Sequence, residues 1–146
     1  MKKFKFLPAD DLSDSEIFLA IDKCLPGNVP LYIMHIVETK SEYIVGQITL
    51  QVTPSRNVDY IGHIGYRVHE TFRGNNYALK ACRLIMQQAK KHGMKELIIT
   101  CNPDNAPSRR TLEKLGGRLM GIVPVPAEHE LYLKGDREKC VFWFGI

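Results

Sequence analysis

VDYIGHIGYRVHETFRGNNYALKACRLIMQQAKKHG, residues 58–93, decides the fold. Residues 58–68 read as a strand with two interior glycines, Gly62 and Gly65, which mark a bulge or the close approach of another backbone or ligand. Residues 69–75 read as a loop. From Asn76 to His92 the pattern turns helical: Ala78, Ala81, Cys82, Ile85, Met86 and Ala89 recur at i, i+3, i+4, i+7, i+8 and i+11, a core-facing stripe. Gly93 suits the position after the helix, and Lys90 and Lys91 suit the dipole of its last turn.

Working outward, Glu96–Cys101 is a short apolar run, expected as a strand buried on both faces. Residues 105–115 form a second helix with Asn105 as N-cap and Pro107 in the first turn, closed by Gly116-Gly117. Strands follow at 118–125 and 139–146. Upstream, residues 44–52 alternate strictly, 31–38 is an apolar strand and 4–7 a short strand candidate. Residues 13–23 (SDSEIFLAIDK) read as a helix, because Ser13 and Glu16 have capping-box spacing. The expected order is β-α-β-β-β-α-β-α-β-β. Its strand–helix–strand centre implies a parallel pair with a crossover, and the hairpins imply an antiparallel remainder, a mixed α+β sheet.

The bulk numbers agree with one domain spanning 1–146. The chain has 146 residues, 45% hydrophobic and 25% charged, with a formal net charge of +4. That charge is too dilute for a nucleic-acid stripe, so no nucleic acid is expected as partner. Four separated cysteines show no metal-ligand spacing, so no metal is expected, and they suit a reduced, cytoplasmic setting. MKKFKFLPADD has no apolar core of a signal peptide, and no membrane is expected as partner.

The junction at RGNNYA places a small-residue turn before a helix N-terminus, whose free N–H groups and partial positive charge suit a phosphate. Arg73 adds a charge-assisted contact. RGNNYA has neither the P-loop Lys-Ser/Thr nor dinucleotide glycine spacing.

Segment 62–117 resembles the core of the GNAT superfamily of N-acetyltransferases, whose acyl-CoA signature is [Q/R]-x-x-G-x-[G/A]. Arg73 fills its first place, Gly74 matches a common variant, Ala78 fills the last, and Asn76 replaces the central glycine. NPDNAPSRRTLEKLGG resembles the second signature through Asn105, Ser108, Lys114 and Gly116, with Gly117 where Phe is usual. GHIGYRV resembles the strand that runs along pantetheine.

The resemblance implies the acyl-CoA N-acyltransferase fold: a central, mostly antiparallel sheet, a parallel strand pair splayed at a bulge (here Gly62–Gly65), and helices on both faces. It implies acetyl transfer from acetyl-CoA, as co-substrate, to an amine of a small molecule or protein by direct attack. Backbone amides of Arg73, Gly74, Asn75, Asn76, Tyr77 and Ala78 would hold the pyrophosphate. Tyr66, Arg67 and Val68 would pair with pantetheine like an added strand, the Val68 N–H being the candidate to polarise the thioester carbonyl. Asn105 and Ser108 would line the CoA side.

A lysine-type amine, with pKa about 10.4, is neutral in roughly one molecule in a few thousand at pH 7, and an α-amine near 8 in roughly one in ten. A lysine-like acceptor therefore needs a base, and His63 on the central strand is the candidate. Many relatives carry a tyrosine as general acid where this chain has Leu112, so Ser108, water or no acid at all remain open. The rival reading is a non-catalytic acyl-CoA-binding or sensing module on the same fold. Trp143 reads as strand core or a homodimer contact, and GDREK (135–139) as a solvated turn.

Overall fold

Two antiparallel sheets meet edge to edge. The computed structural model describes residues 3–146; Met1 and Lys2, the start of the stretch read for a leader, lie outside the described residues. The first sheet has the order β1-β2-β3-β4, with β1 Ile17–Leu25, β2 Leu31–Glu38, β3 Ile44–Gln51 and β4 Ile64–Val68. The second has the order β5-β7-β6, with β5 Glu96–Cys101, β6 Arg118–Pro124 and β7 Glu138–Gly145. The helices are α1 Tyr77–Lys91, α2 Ala106–Lys114 and a single turn, α3 Glu130–Leu133. No helix among the described residues is long and apolar enough to cross a membrane, which says nothing of a β-barrel.

Helix α1 packs on β1, β3 and β4, and its expected stripe is the one that is buried: Ala81, Cys82, Ile85 and Ala89 are fully enclosed. They face Tyr32, Met34, Ile48 and Leu50 in one continuous core. Burying an Ile or Leu side chain contributes about 1.5–3 kcal/mol, so this stripe, more than helix propensity, holds α1 in place. Helix α2 lies against β5 and touches α1.

The expected helix over 13–23 is a strand. The Asp14 carboxylate accepts the N–H groups of Glu16 (2.7 Å) and Ile17 (2.8 Å), a local turn that feeds the chain into β1. Ile17 and Leu19 then point into the core at period two. β1 pairs with β2 from Ile17↔Glu38 to Leu25↔Leu31. The capping-box spacing is overridden because that ladder satisfies the backbone and buries the apolar parity together. The candidate strand at 4–7 is irregular. Its polar groups go to side chains instead: the Leu7 N–H donates to Tyr32 Oη, and Gln88 Nε2 donates to the Leu7 carbonyl.

The expected strand 58–68 shortens to β4. Residues Ser55–Asn57 form a 3₁₀ turn, and the Val58 carbonyl accepts from both Ile61 and Gly62. The ladder between β3 and β4 runs without a register shift from Ile64 to Val68, so the irregularity expected at Gly62–Gly65 lies ahead of it, at the turn into Gly62 and His63. The expected parallel pair is also not a ladder. β4 and β5 are both sheet edges, joined by an isolated bridge between Gly62, two residues ahead of β4, and Ile99 within β5, and parting beyond it. As an edge, β5 alternates in burial: Leu97, Ile99 and Cys101 are enclosed, while Ile98 and Thr100 are half-buried.

Two glycines are required by space. Gly62 has φ +79°, and a Cβ there would lie 2.9 Å from the Ile98 carbonyl oxygen. A Cβ at Gly117 would lie 2.5 Å from the Phe144 ring, so the phenylalanine usual at this place has no room, and Phe144 of β7 fills it. Gly62→Ala is expected to lower stability by about 1–3 kcal/mol. A urea midpoint no lower than that of the parent would remove Gly62 from the junction.

Candidate active site

The parting of β4 and β5 is set by His63. Its backbone N–H donates to the Ile98 carbonyl at 2.7 Å. The Ile98 N–H donates at 2.9 Å to the ring Nδ1 of His63, where a regular ladder would offer a backbone carbonyl. That fixes the neutral tautomer with its proton on Nε2, which donates to the Thr53 carbonyl at 2.9 Å. The residue is 1% exposed, and burial holds its pKa below the ordinary value. The expected role of His63 as base is therefore not supported by its placement: it lies outside the cleft, and its one lone pair is already used. The turn at Val58–Gly62 instead leads His63 into contacts with Thr53 and Ile98, where it is buried.

Beyond His63 the two strand edges open a cleft of about 790 Å³. Tyr66, Arg67 and Val68 line one wall, as expected for the strand beside a ligand arm. At the far end lie Arg73, Gly74, Asn76, Tyr77 and Ala78. Gly74 has φ +92° with open space on its Cβ side. Asn76 stands at the N-cap of α1 with φ 58° and ψ 27°, the left-handed conformation that the missing glycine would take. Its side chain caps nothing, so the first N–H groups of α1 have no side-chain partner. Helix α2 differs, because Asn105 Oδ1 accepts the Ser108 N–H at 3.2 Å. Arg73 Nε donates to the Val68 carbonyl at 3.1 Å, which ties the loop to β4. Tyr77 turns its hydroxyl away to Glu38. Asn75 lies outside the lining, its side chain donating to the Phe72 carbonyl.

On α2, Asn105 and Ser108 line the opposite wall. Ser108 Oγ is 2.7 Å from Tyr66 Oη, the side-chain hydrogen bond that joins the two walls. Burial pushes the Tyr66 hydroxyl up to about 12, so it stays protonated, and either hydroxyl of the pair can be the donor. Leu112 is fully buried and part of the core. Cys101, also in the lining, is a free thiol raised by burial to about 11.

Several lining residues carried no signal in the sequence. Asn102 Nδ2 donates to Asp136 Oδ1 at 2.9 Å, and Asp136 Oδ2 pairs with Lys139 Nζ at 3.1 Å. The GDREK segment is thus no free turn: Lys139 reaches the cleft, with its side chain 12% exposed. Asn102 Oδ1 is buried without a partner. Arg110 reaches the lining from α2, four residues from Lys114 of the second signature and on the same face. Trp143 lies on the central strand β7, donating to Glu96 at 2.7 Å beneath Arg118.

A splayed pair of strand edges, an uncapped helix start beside one and a second helix beside the other match a known arrangement. The family profile described as an acetyltransferase (GNAT) domain matches residues 3–118. The chain belongs to the GNAT acetyltransferases. No curated protein sequence matches it significantly. Among solved structures this GNAT chain is similar to a GNAT-family acetyltransferase from Bacillus anthracis, with TM-score 0.63 and 19% identity over 77% of this chain and 65% of that one. It is also similar to the microcin C7 self-immunity acetyltransferase MccE, solved with acetyl-CoA and AMP, with TM-score 0.63 and 21% identity over 80% and 61%. Mycobacterium smegmatis RimJ, solved with CoA-disulfide, matches with TM-score 0.63 and 23% identity over 79% and 53%. At these identities the likeness is one of fold, and the chain spans about 61–65% of the length of the first of these relatives.

His63 ties stability of this GNAT domain to pH. Its folded-state pKa lies below the unfolded one, so its contribution is complete above about 6.5 and is lost as pH falls through that value towards the folded one. His63→Leu is expected to cost about 1–3 kcal/mol, because it orphans the Ile98 N–H and the Thr53 carbonyl. Urea midpoints at about pH 7.5 and about pH 5 should differ less in the variant than in the parent. An equal difference would show that His63 does not carry this dependence.

Proposed function

We propose that the protein transfers an acetyl group from acetyl-CoA to a primary amine by direct attack on the thioester. The observation that carries this reading is that an uncapped helix start and an unpaired strand edge open onto one cleft. The first fits a pyrophosphate, because free N–H groups and the dipole of α1 converge where Gly74 leaves space. The second fits the amides of pantetheine, which would add to β4 as a further strand. The Val68 N–H on that strand remains the candidate donor to the developing oxyanion.

Bound acetyl-CoA supplies the activated acetyl group. Ser108, which lines the cleft, would hydrogen-bond the departing thiolate. Tyr66, protonated throughout the neutral range, shares a hydrogen bond with Ser108 Oγ, and when Tyr66 is the donor the serine proton is free to point elsewhere. This arrangement takes the place of the tyrosine that Leu112 cannot supply. Asn75 makes no side-chain contribution here, and its backbone stays part of the cradle.

Acetyl-CoA is expected to bind in calorimetric titration. Gly74→Glu should weaken binding at least about tenfold, by placing bulk and negative charge where the pyrophosphate lies. Unchanged affinity in the folded variant would refute the cradle.

Tyr66→Phe is expected to lower kcat about tenfold with the acetyl-CoA Kd unchanged, since it removes proton positioning and not binding. An unaltered kcat would take Tyr66 and Ser108 out of the reaction. The burial of Leu112 in the core favours a second reading, a non-catalytic acyl-CoA sensor. Acetyl-CoA binding without CoA release across an amine panel would establish it.

A further inference from the structure

Cys101 and Cys140 stand directly opposite each other in the antiparallel ladder of β5 and β7. Both are buried and both are free thiols. They are neighbours: the Cys101 thiol, raised to about 11 chiefly by burial, is raised next by the thiol of Cys140. Ile98 gives its N–H and carbonyl to His63, so residues 97, 99 and 101 turn theirs to β7. Cys101 and Cys140 are therefore a hydrogen-bonded pair, with Cα atoms about 5.5 Å apart, inside the disulfide range of about 4.4–6.8 Å. The other two cysteines have no such partner. Cys24 faces Tyr32 in the first sheet, and Cys82 lies on α1. Access differs within the pair. Cys101 lines the cleft, whereas Cys140 is fully enclosed and outside the lining. A reagent in the cleft meets Cys101 first and reaches Cys140 only through it.

We propose that Cys101 and Cys140 form a reversible redox site, closed to a disulfide by a small-molecule disulfide admitted to the cleft, and that closure weakens the hold on acetyl-CoA. The effect on acetyl-CoA rests on the function proposed above; the redox site does not. The Cys101 thiolate attacks one sulfur of the reagent, which forms a mixed disulfide and expels one thiolate. The Cys140 sulfur then attacks the Cys101 sulfur and expels the second. The pair is oxidised, and the reagent is reduced to two thiols that take up the two protons the cysteines lose. Opposed Cβ atoms in such a ladder are about 5.5 Å apart, against about 3.8 Å in a disulfide, so closure draws β5 and β7 together at this point. Asn102, next in the chain, and Ser108, beside the Cys101 thiol, line the cleft and move with it. The resulting strain makes the bond easily reduced, which suits a switch and not a permanent staple.

The test exposes the reduced protein to bis(hydroxyethyl) disulfide, a small uncharged reagent, and follows its thiols. A titration of the unfolded product is expected to find two of the four thiols lost, with one linked peptide pair that carries Cys101 and Cys140. Dithiothreitol should restore both. Attack needs the thiolate, so the rate should rise about tenfold per pH unit between about pH 7 and about pH 9. Cys140→Ala should stop the reaction at the mixed disulfide on Cys101. Acetyl-CoA affinity should fall at least about tenfold in the oxidised parent and recover on reduction, since one wall has shifted by more than about 1 Å. Retention of all thiols by the parent, or a link through Cys24 or Cys82, would overturn the redox site. A Cys101–Cys140 link with unchanged acetyl-CoA affinity would overturn the switch and leave the cradle intact. Failure of the reduced protein to bind acetyl-CoA would sink the proposed function and the switch with it, while the thiol count would still decide the redox site.

Discussion

The hydrogen bond from the Ile98 N–H to the ring of His63 is the contact on which the cleft depends. A backbone carbonyl in that place would have continued a ladder between β4 and β5. A side chain accepts the bond instead, so pairing stops at Gly62↔Ile99 and the strands part. The ring is anchored from behind by the Thr53 carbonyl, and Gly62 lets the chain pass within contact distance of β5. The cost of burying an imidazole is offset because both nitrogens are satisfied.

The parting leaves a pair of sheet edges that stay unpaired without being exposed as flat, sticky borders. They are the two walls of the cleft, roofed by α1 and α2. Asn76 keeps the start of α1 open. An ordinary Ser or Asp cap would have filled the N–H groups that an anion needs. Asn76 adopts the left-handed conformation of the glycine it replaces, and its amide caps nothing. Replacement of that glycine therefore preserves the geometry of the turn. Across the cleft, the Tyr66–Ser108 bond ties β4 to α2 and sets the width between them.

The legible parts of the chain were those whose pattern is local. The stripe from Ala78 to Ala89 announced α1, strict alternation announced β3, and Asn105 announced the start of α2. Most of the lining expected from RGNNYA, GYRV and NxxS faces one cleft, since short motifs fix backbone shape within a few residues. Residues 13–23 misled, because a capping-box spacing and a strand parity coexist there and only the partner strand β2 chooses between them. His63 misled as well, because its place in a strand-like segment says nothing of the distant Thr53 and Ile98 groups that bond its ring. Asn102, Asp136 and Lys139 were silent, because their contact joins β5 to the start of β7 across more than thirty residues.

By itself the sequence determined the main helices, most strands, the acyl-CoA signatures and hence the family, since these rest on periodicity, capping and turn chemistry within single segments. Tertiary structure alone decided that residues 17–25 pair as a strand, that β4 and β5 separate, that Phe144 takes the room left at Gly117, and that Lys139 joins Arg67, Arg73, Arg110 and Lys114 in the lining of one cleft. Each of these depends on which distant backbone or side chain satisfies a buried polar group or fills a space. Long-range packing settles that question, and no local pattern encodes it.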